Sequence, residues 1–151
     1  MPKHRISQYH NLDEKLAPTD IGGTTANTGW IYVGDCSSIA FLVMTAADYS
    51  DATCVITVKQ ATDSSGTGSQ AVTGLGGTLD AADEQAIIEM NMDDMYGGGA
   101  TDGNYDYLQC IVTEASNTGV DYVSISVIKT GDRYKAATAT LNSGAEVTDN
   151  T

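Results

Sequence analysis

Basic side chains, Trp, Phe and Pro are scarce in this chain of 151 residues. Seven lysines and arginines face twenty acidic residues, which gives a formal net charge of −13, and there are one Trp, one Phe and two Pro. Between residues 16 and 128 the single basic side chain is Lys59. A body this acidic repels phosphate groups, so we expect no direct binding of nucleic acid and no binding to an anionic membrane. The same charge would also serve solubility alone.

Long apolar runs are missing as well. The longest, Ile39 to Met44, is much too short to span a membrane, and residues 1 to 15 lack the apolar stretch of a signal peptide. Gly, Thr, Ser, Ala and Asp are abundant instead, which favours short strands joined by turns over long helices. The length fits one domain.

Histidine is almost absent, which limits the chemistry available to the chain. His4 and His10 both lie near the start, whereas a Ser or Cys nucleophile needs a nearby base, usually His. Carboxylates such as Glu89 and Glu114 could in principle support glycoside hydrolysis, but such sites also need aromatic platforms for sugars, and exposed acids on strand faces are the stronger explanation. We therefore predict no catalytic residues and no enzyme activity.

Cysteine occurs three times, at wide spacings that match no zinc site. Cys54 and Cys110 each lie within an apolar strand pattern, so we expect both to be buried and reduced. A disulfide between them across two sheets stays open as an alternative.

Two acidic segments could in principle bind calcium. Asp102 to Asp106 resembles the start of a calcium loop, but its sixth and twelfth positions hold Tyr107 and Thr113 instead of Gly and Glu. Asp80, Asp83 and Glu84 form a second acidic cluster. Turn chemistry of Asp and Asn accounts for both segments, so we predict no metal and no cofactor, and leave calcium open.

The order of predicted elements indicates an all-β fold. Residues 1–29 read as an N-terminal extended arm, residues 30–134 as a β-sandwich domain and residues 135–151 as a C-terminal extended tail. Six to eight short strands separated by turns predict a jelly-roll-like antiparallel β-sandwich. The predicted strands are residues 30–33, 38–45, 53–61, 69–73, 85–92, 105–115 and 120–130, with a turn segment at 63–69 and a long loop at 93–104.

The two last strands carry the clearest pattern. Residues 105–115 and 120–130 alternate cleanly on both sides of Asn117-Thr118-Gly119, a hairpin turn signal. The sequence therefore predicts that they form an antiparallel hairpin.

Six of the seven lysines and arginines lie near the two ends of the chain. Residues 1–25 and 136–151 are too polar to fold alone, and we predict that they dock on other chains. The basic groups of the N-terminal arm and of residues 129–135 would meet acidic patches there. The alternative is that the arms pack back on their own domain. The predicted interface residues are Lys3, Arg5, His10, Lys15, Arg133 and Lys135.

One segment resembles a known protein class. Between Val55 and Val72 a strand ending in Gln60-Ala61-Thr62-Asp63 leads through Gly66-Thr67-Gly68 into a short strand, which resembles small structural proteins of tailed bacteriophages. The similarity extends over roughly residues 30–130 to capsid decoration proteins, also called cement or head-stabilisation proteins, which have jelly-roll bodies and extended arms. The order of later strands also fits: residues 85–90, 105–113 and 120–129.

The resemblance implies a non-enzymatic virion protein that binds an assembled phage capsid and stabilises it by mass action. Its implied partners are the major capsid protein and neighbouring copies of itself, as a homo-oligomer on the particle. Its implied place is the capsid surface, after synthesis in the host cytoplasm. One alternative is a head–tail connector or tail protein. Another is a carbohydrate-binding β-sandwich module, for which Trp30 and Tyr32 would be the first aromatic contacts.

Overall fold

A computed structural model of the chain describes residues 10–47, 53–92, 105–114 and 119–131. In the strands Ser38–Thr45, Cys54–Ala61 and Tyr107–Glu114 every second residue is buried, as the alternation in the sequence predicts. The nine strands of this part of the chain are β1 (His10–Asp20), β2 (Thr25–Asn27), β3 (Ile31–Tyr32), β4 (Ser38–Thr45), β5 (Cys54–Ala61), β6 (Gln70–Leu79), β7 (Gln85–Asn91), β8 (Tyr107–Glu114) and β9 (Tyr122–Thr130).

Two antiparallel sheets pack against each other as a β-sandwich. The four-stranded sheet has the order β1-β9-β4-β7, and the five-stranded sheet has the order β2-β8-β5-β6, with β3 also paired to β8. Because β2 and β3 follow one another along β8, they act as one interrupted strand. If β2 and β3 are counted as one strand, the described strands can be renumbered 1 to 8 in chain order. The two sheets then have the orders 1-8-3-6 and 2-7-4-5, which is the order of a jelly roll. The predicted fold class is confirmed.

The start of the sandwich was predicted too late in the chain. Residues 10–29, assigned to the extended arm of residues 1–29, belong to the body: β1 pairs with β9 along its whole length, and β2 pairs with β8. Ile21 is fully buried, and Leu16 packs half-buried against the core. An edge strand covered on one face needs few apolar side chains, so its composition resembled that of a linker.

Three predicted features lie outside the described residues. These are residues 1–9 of the arm, the loop at 93–104 and the tail at 135–151.

The predicted hairpin between the last two strands is wrong, although both strands exist. β8 pairs with β2, β3 and β5 in one sheet, whereas β9 pairs with β1 and β4 in the other. The connection between them therefore crosses from one sheet to the other. Strands that pair side by side and strands that face each other across a core both bury every second side chain, so alternation cannot distinguish the two arrangements.

The turn between β5 and β6 forms a hairpin, as the turn signals predict. The Asp63 carboxylate accepts hydrogen bonds from the backbone N–H groups of Ser65 at 2.8 Å and Thr67 at 3.0 Å. Gly66 and Gly68 have φ angles of +83° and +64°, a region that glycine enters at little cost. Local chemistry alone specifies this turn.

The core between the sheets is aliphatic, with the chain's one Phe near its centre. Full burial of each such side chain contributes about 1.5–3 kcal/mol. The largest fully buried side chains are Phe41, Ile21, Ile39, Met92, Leu108, Ile125, Val33, Val43, Val58, Val112, Val123 and Val127.

All three cysteines are buried and free, which confirms the prediction for Cys54 and Cys110. On the paired strands β5 and β8, Cys54 lies opposite Glu114 and Cys110 lies opposite Val58. The two cysteines are therefore four residues out of register. At about 3.3 Å per residue their Cα atoms are more than roughly 10 Å apart, beyond the ~7 Å limit of a disulfide. The cross-sheet bridge is excluded because both cysteines lie in one sheet.

Candidate functional site

The outer face of the four-stranded sheet is unusual because its central strand is apolar on both sides. Ile39, Phe41 and Val43 of β4 point into the core and are 1%, 1% and 0% exposed. Leu42 and Met44 alternate with them and therefore lie on the outer face, where they are half-buried. An antiparallel sheet with water on one side normally places polar residues there. The apolar outer side of β4 therefore suits contact with another molecule.

Neighbouring strands extend this apolar surface. In the register of the sheet, Leu42 lies opposite Ile87 of β7, and Ala40 lies opposite Ile128 of β9. Ile87 is 67% exposed, the highest value among the large apolar side chains that are exposed. We call the surface formed by Ala40, Leu42, Met44, Ile87 and Ile128 the outer patch.

Charge is sparse on the part of this face that β4, β7 and β9 form. The outward-facing positions of these strands hold Ser, Thr, Gln, Asn, Tyr and apolar residues, and among these described positions Glu89 is the single charged side chain. The edge strand β1 adds Asp20, which lies opposite Tyr122 of β9. A surface with little charge can be covered by a partner without the large cost of desolvating many ions.

The outer face of the other sheet is mixed in character. Thr25 and Thr113 share a hydrogen bond of 3.1 Å between their hydroxyl groups, and the Gln109 amide donates to Asn27 at 3.0 Å. Val55 is 41% exposed on this face, and Tyr107 and Ile111 are half-buried there. What distinguishes the face of the four-stranded sheet is therefore the unbroken apolar outer side of β4.

A second candidate site is a cleft where β1 and β9 of one sheet meet β3 of the other. Its volume is about 310 Å³. Buried Ile31 and Val127 supply its apolar floor, and Trp30 and Tyr32 supply aromatic rings. Its charged lining residues are Lys15, Asp35 and Lys129.

Glycines hold the two aromatic rings of the cleft in place. A Cβ atom added at Gly66 would lie 2.6 Å from the indole nitrogen of Trp30, and one added at Gly34 would lie 2.6 Å from the hydroxyl oxygen of Tyr32. The Tyr32 ring also contacts the Tyr107 ring, with centroids 5.4 Å apart and planes tilted by 59°. The rings are therefore fixed by close packing before any ligand arrives.

The cleft also holds an ion pair. The Lys129 ammonium group donates to the Asp35 carboxylate at 2.7 Å, with side-chain exposures of 16% and 40%. Lys15 is exposed and lies at the same cleft. Three lysines and arginines occur among the residues whose side chains the structure describes, and two of them line this cleft.

Cysteine chemistry is not available in the core. Burial, and to a smaller extent the neighbouring Cys54 thiol, raise the pKa of Cys110 to about 12. A thiol with this pKa stays protonated at neutral pH, and the thiolate is the nucleophilic form.

The acidic cluster after β6 serves the backbone of its own turn. The Glu84 carboxylate accepts hydrogen bonds from the N–H groups of Asp80 at 2.8 Å and Ala81 at 3.1 Å. The described residues contain no group of three or more His, Cys, Asp or Glu placed to hold a metal ion. No helix within the described ranges is long and apolar enough to cross a membrane.

Two of the six predicted interface residues fall within the described part of the chain. His10 begins β1 opposite Thr130, and Lys15 lies in the same strand at the edge of the cleft. The other four, Lys3, Arg5, Arg133 and Lys135, lie outside the described residues.

Sequence reasoning missed the outer patch, although a signal for it was present. Ile39 to Met44 is a run of six apolar residues, whereas a strand buried on one face needs an apolar residue at every second position only. The aromatic side of the cleft, Trp30 and Tyr32, is visible in the sequence, whereas its ion pair has no local signal because Asp35 and Lys129 are 94 residues apart in the chain.

Comparison with known proteins gives no assignment. No family model matches the chain, and the searches of curated proteins and of solved structures find no match.

Proposed function

We propose that this chain is a non-enzymatic structural protein of a phage particle, which binds the assembled capsid and stabilises it. The observation that carries the proposal is the apolar outer side of β4 with its neighbours Ile87 and Ile128, where Glu89 is the single charged side chain among the described outward-facing positions of β4, β7 and β9. The resemblance of residues 55–72 to phage structural proteins agrees with it, and jelly rolls occur among viral capsid and lectin domains. Because a fold does not fix a function, the outer patch has to be tested directly.

The size of the face suits a contact that is repeated many times. Three strands about 4.8 Å apart and seven residues long at about 3.4 Å each cover roughly 340 Å². A stable interface covers about 800 Å² on each partner. The face alone would therefore bind weakly, and further contacts or many copies on a symmetric shell would supply the remaining affinity.

The predicted role of the chain ends fits this need. Residues 1–9 carry Lys3 and Arg5, which could meet acidic groups of the capsid protein or of a neighbouring copy. Such contacts are screened over about 8–10 Å at physiological ionic strength, so high salt would weaken them while leaving the apolar contact in place.

The test is binding of purified protein to particles that lack it, with two matched lysine substitutions. Ile87→Lys places a charge in the outer patch, and Val55→Lys places one on the opposite outer face. Both sites are exposed strand positions, so both variants should fold. Ile87→Lys should lower the affinity for particles about tenfold or more, because a buried Ile contributes about 1.5–3 kcal/mol, and Val55→Lys should change it little.

Equal binding by both variants and the wild-type protein would refute the outer patch as the capsid contact. Copy number distinguishes the two virion roles: many copies spread over the shell fit decoration, whereas a few copies at one vertex fit a head–tail connector or tail protein. Quantitative mass spectrometry of purified particles measures this number.

A further inference from the structure

We propose that β7, an edge strand of the four-stranded sheet, pairs antiparallel with β7 of a second copy of this chain. The two four-stranded sheets would then join into one sheet of eight strands. The backbone and the side-chain pattern of this edge carry the inference. It concerns the protein in solution and does not depend on capsid binding.

β7 is the one long and regular edge in the part of the sandwich that the structure describes. Its seven residues pair with β4 without a register shift, and they include neither Pro nor Gly. An exposed edge is a template for any extended chain, and proteins usually block it with a short strand, Pro, a bulge or charges. Of these devices β7 has a single charge, on Glu89.

The other edges of the described sandwich are blocked. β1 contains Pro18 and two register shifts against β9, and β2 and β3 are three and two residues long. β6 contains three glycines and a register shift against β5, and its Gly74 has a φ angle of +82°. The contrast indicates that the edge of β7 is available for pairing.

The ladder with β4 shows which backbone groups of β7 face this edge. Glu84 accepts a hydrogen bond from the Thr45 N–H at 3.0 Å, and the Met92 N–H donates to Ser37 at 2.9 Å. Residues in an antiparallel pair alternate between bonding to the neighbouring strand and facing away from it. The N–H and C=O groups that face away from β4 are therefore those of Gln85, Ile87, Glu89 and Asn91. No strand among the described residues pairs with them.

The side chains of β7 are self-complementary about Ile87. A two-fold axis at this residue, as in most homodimers, places the two Ile87 side chains opposite each other. It also places Gln85 opposite Glu89 of the second copy, where the amide can donate to the carboxylate. Such opposing pairs stabilise antiparallel strands. The two Glu89 carboxylates are then four residues out of register, more than about 13 Å apart.

The same pairing covers apolar atoms on both faces of the sheet. On the outer face Ile87, which is 67% exposed, would lose contact with water. On the inner face Ala86 and Ile88 are half-buried against the core, and each would lie opposite the other residue in the second copy. A small side chain therefore meets a large one, which fills the space at the edge of the core.

The dimer should be weak and reversible. Five paired residues on each strand cover far less than the about 800 Å² per partner of a stable interface, so we expect a dissociation constant on the order of 100 μM. Two chains with a formal charge of −13 each repel one another, and salt screens this repulsion. Salt should therefore strengthen the β7 pairing, whereas it would weaken a contact between basic chain ends and an acidic body.

Sedimentation equilibrium of the full chain, at up to millimolar concentration and at low and high salt, measures the dimer. Gln85→Glu places like charges opposite each other on both sides of the axis and should raise the dissociation constant severalfold. Adding Glu89→Lys to Gln85→Glu should restore the dimer, because opposite charges then face each other. The two positions are four residues apart in one strand, too far for the pair to form within a monomer. Val55→Glu, on the other sheet, is the control and should change nothing.

Cross-linking tests the register. Cα atoms of a hydrogen-bonded antiparallel pair are about 5.5 Å apart, within the range of about 4.4–6.8 Å for a disulfide. Mild oxidation should therefore link Ile87→Cys into a dimer. Gln85→Cys is the matched control, because this exposed position would lie more than about 13 Å from its own copy and should link slowly. The three native cysteines are buried, so the wild-type protein should stay unlinked.

Four results would overturn the inference. The first is a protein that stays monomeric at millimolar concentration in both salts, and the second is a dimer that high salt dissociates, which would identify the chain ends as the contact. The third is a dimer that Gln85→Glu leaves unchanged, and the fourth is equal cross-linking of Ile87→Cys and Gln85→Cys.

These measurements contain no particles, so their failure leaves the proposed function standing. Because Ile87 belongs to both surfaces, Gln85→Glu should also be included in the particle-binding assay. A loss of particle binding in Ile87→Lys that Gln85→Glu does not share belongs to the capsid contact, whereas an equal loss in both variants belongs to the dimer.

Discussion

The turn between β5 and β6 couples the fold to the cleft, and one substitution tests this coupling. Gly66 has a φ of +83°, and a Cβ atom at this position would lie 2.6 Å from the Trp30 indole nitrogen. Gly68 has a similar φ of +64°, but the nearest heavy atom to its added Cβ would be 4.0 Å away. Gly66→Ala and Gly68→Ala therefore share the backbone strain and differ in the contact with Trp30.

The expected free energies follow from this difference. The left-handed conformation costs a residue with a Cβ about 1–2 kcal/mol, so Gly68→Ala should reduce the free energy of unfolding by that amount. In Gly66→Ala the ring of Trp30 must also shift, and overpacking of this kind costs about 1–3 kcal/mol more. Urea unfolding measures both losses, and the emission of Trp30 should differ from that of the wild-type protein in Gly66→Ala alone.

A double-mutant cycle makes the test specific. When Trp30 is replaced by Ala, the added Cβ at Gly66 meets no ring, so Gly66→Ala should cost no more than Gly68→Ala. Equal losses for the two glycine variants in the wild-type background, together with identical emission spectra, would refute the packing of this turn on Trp30.

Three further predictions concern the core, the turn and the edge of the sheet. The pKa of Cys110 is about 12 in the folded protein and 9.0 in an ordinary thiol, so the unfolded chain releases this proton first. The contribution of Cys110 to stability should be constant below pH 9 and fall between pH 9 and 12 by up to about 1.4 kcal/mol per pH unit, and urea titrations should show a shallower fall in Cys110→Ala. Hydrogen bonds from the Thr67 side chain and from backbone N–H groups lower the pKa of Asp63 from 3.8. Its carboxylate therefore stabilises the fold above pH 3.8. The difference in the free energy of unfolding between the wild-type protein and Asp63→Asn should disappear as the pH falls through the folded pKa. Deletion of residues 1–25 removes β1 and buried Ile21 and should abolish the cooperative thermal transition seen by circular dichroism, whereas a cooperative transition after that deletion would show that β1 is dispensable.

The sequence by itself specified the features that depend on neighbours in the chain. Alternation in β4, β5, β8 and β9 predicted strands within two or three residues of their ends. Asp63 and the two following glycines predicted the turn between β5 and β6, because the carboxylate and the positive φ angles act within a few residues. The burial of Cys54 and Cys110 followed from the same alternation.

Tertiary structure decided which strands pair and which surfaces result. The last two strands were predicted as a hairpin but belong to different sheets, and the polar segment at residues 10–29 became an edge strand and a short strand. Both errors arise because pairing is a long-range choice: a strand satisfies its backbone equally well with any partner of the right length and pattern. The cleft also depends on long-range pairing, since Asp35 and Lys129 are neighbours only because β9 belongs to the four-stranded sheet. The sequence determines how each strand alternates, whereas the topology determines which side chains become neighbours, because burial of the shared core acts on all the strands together.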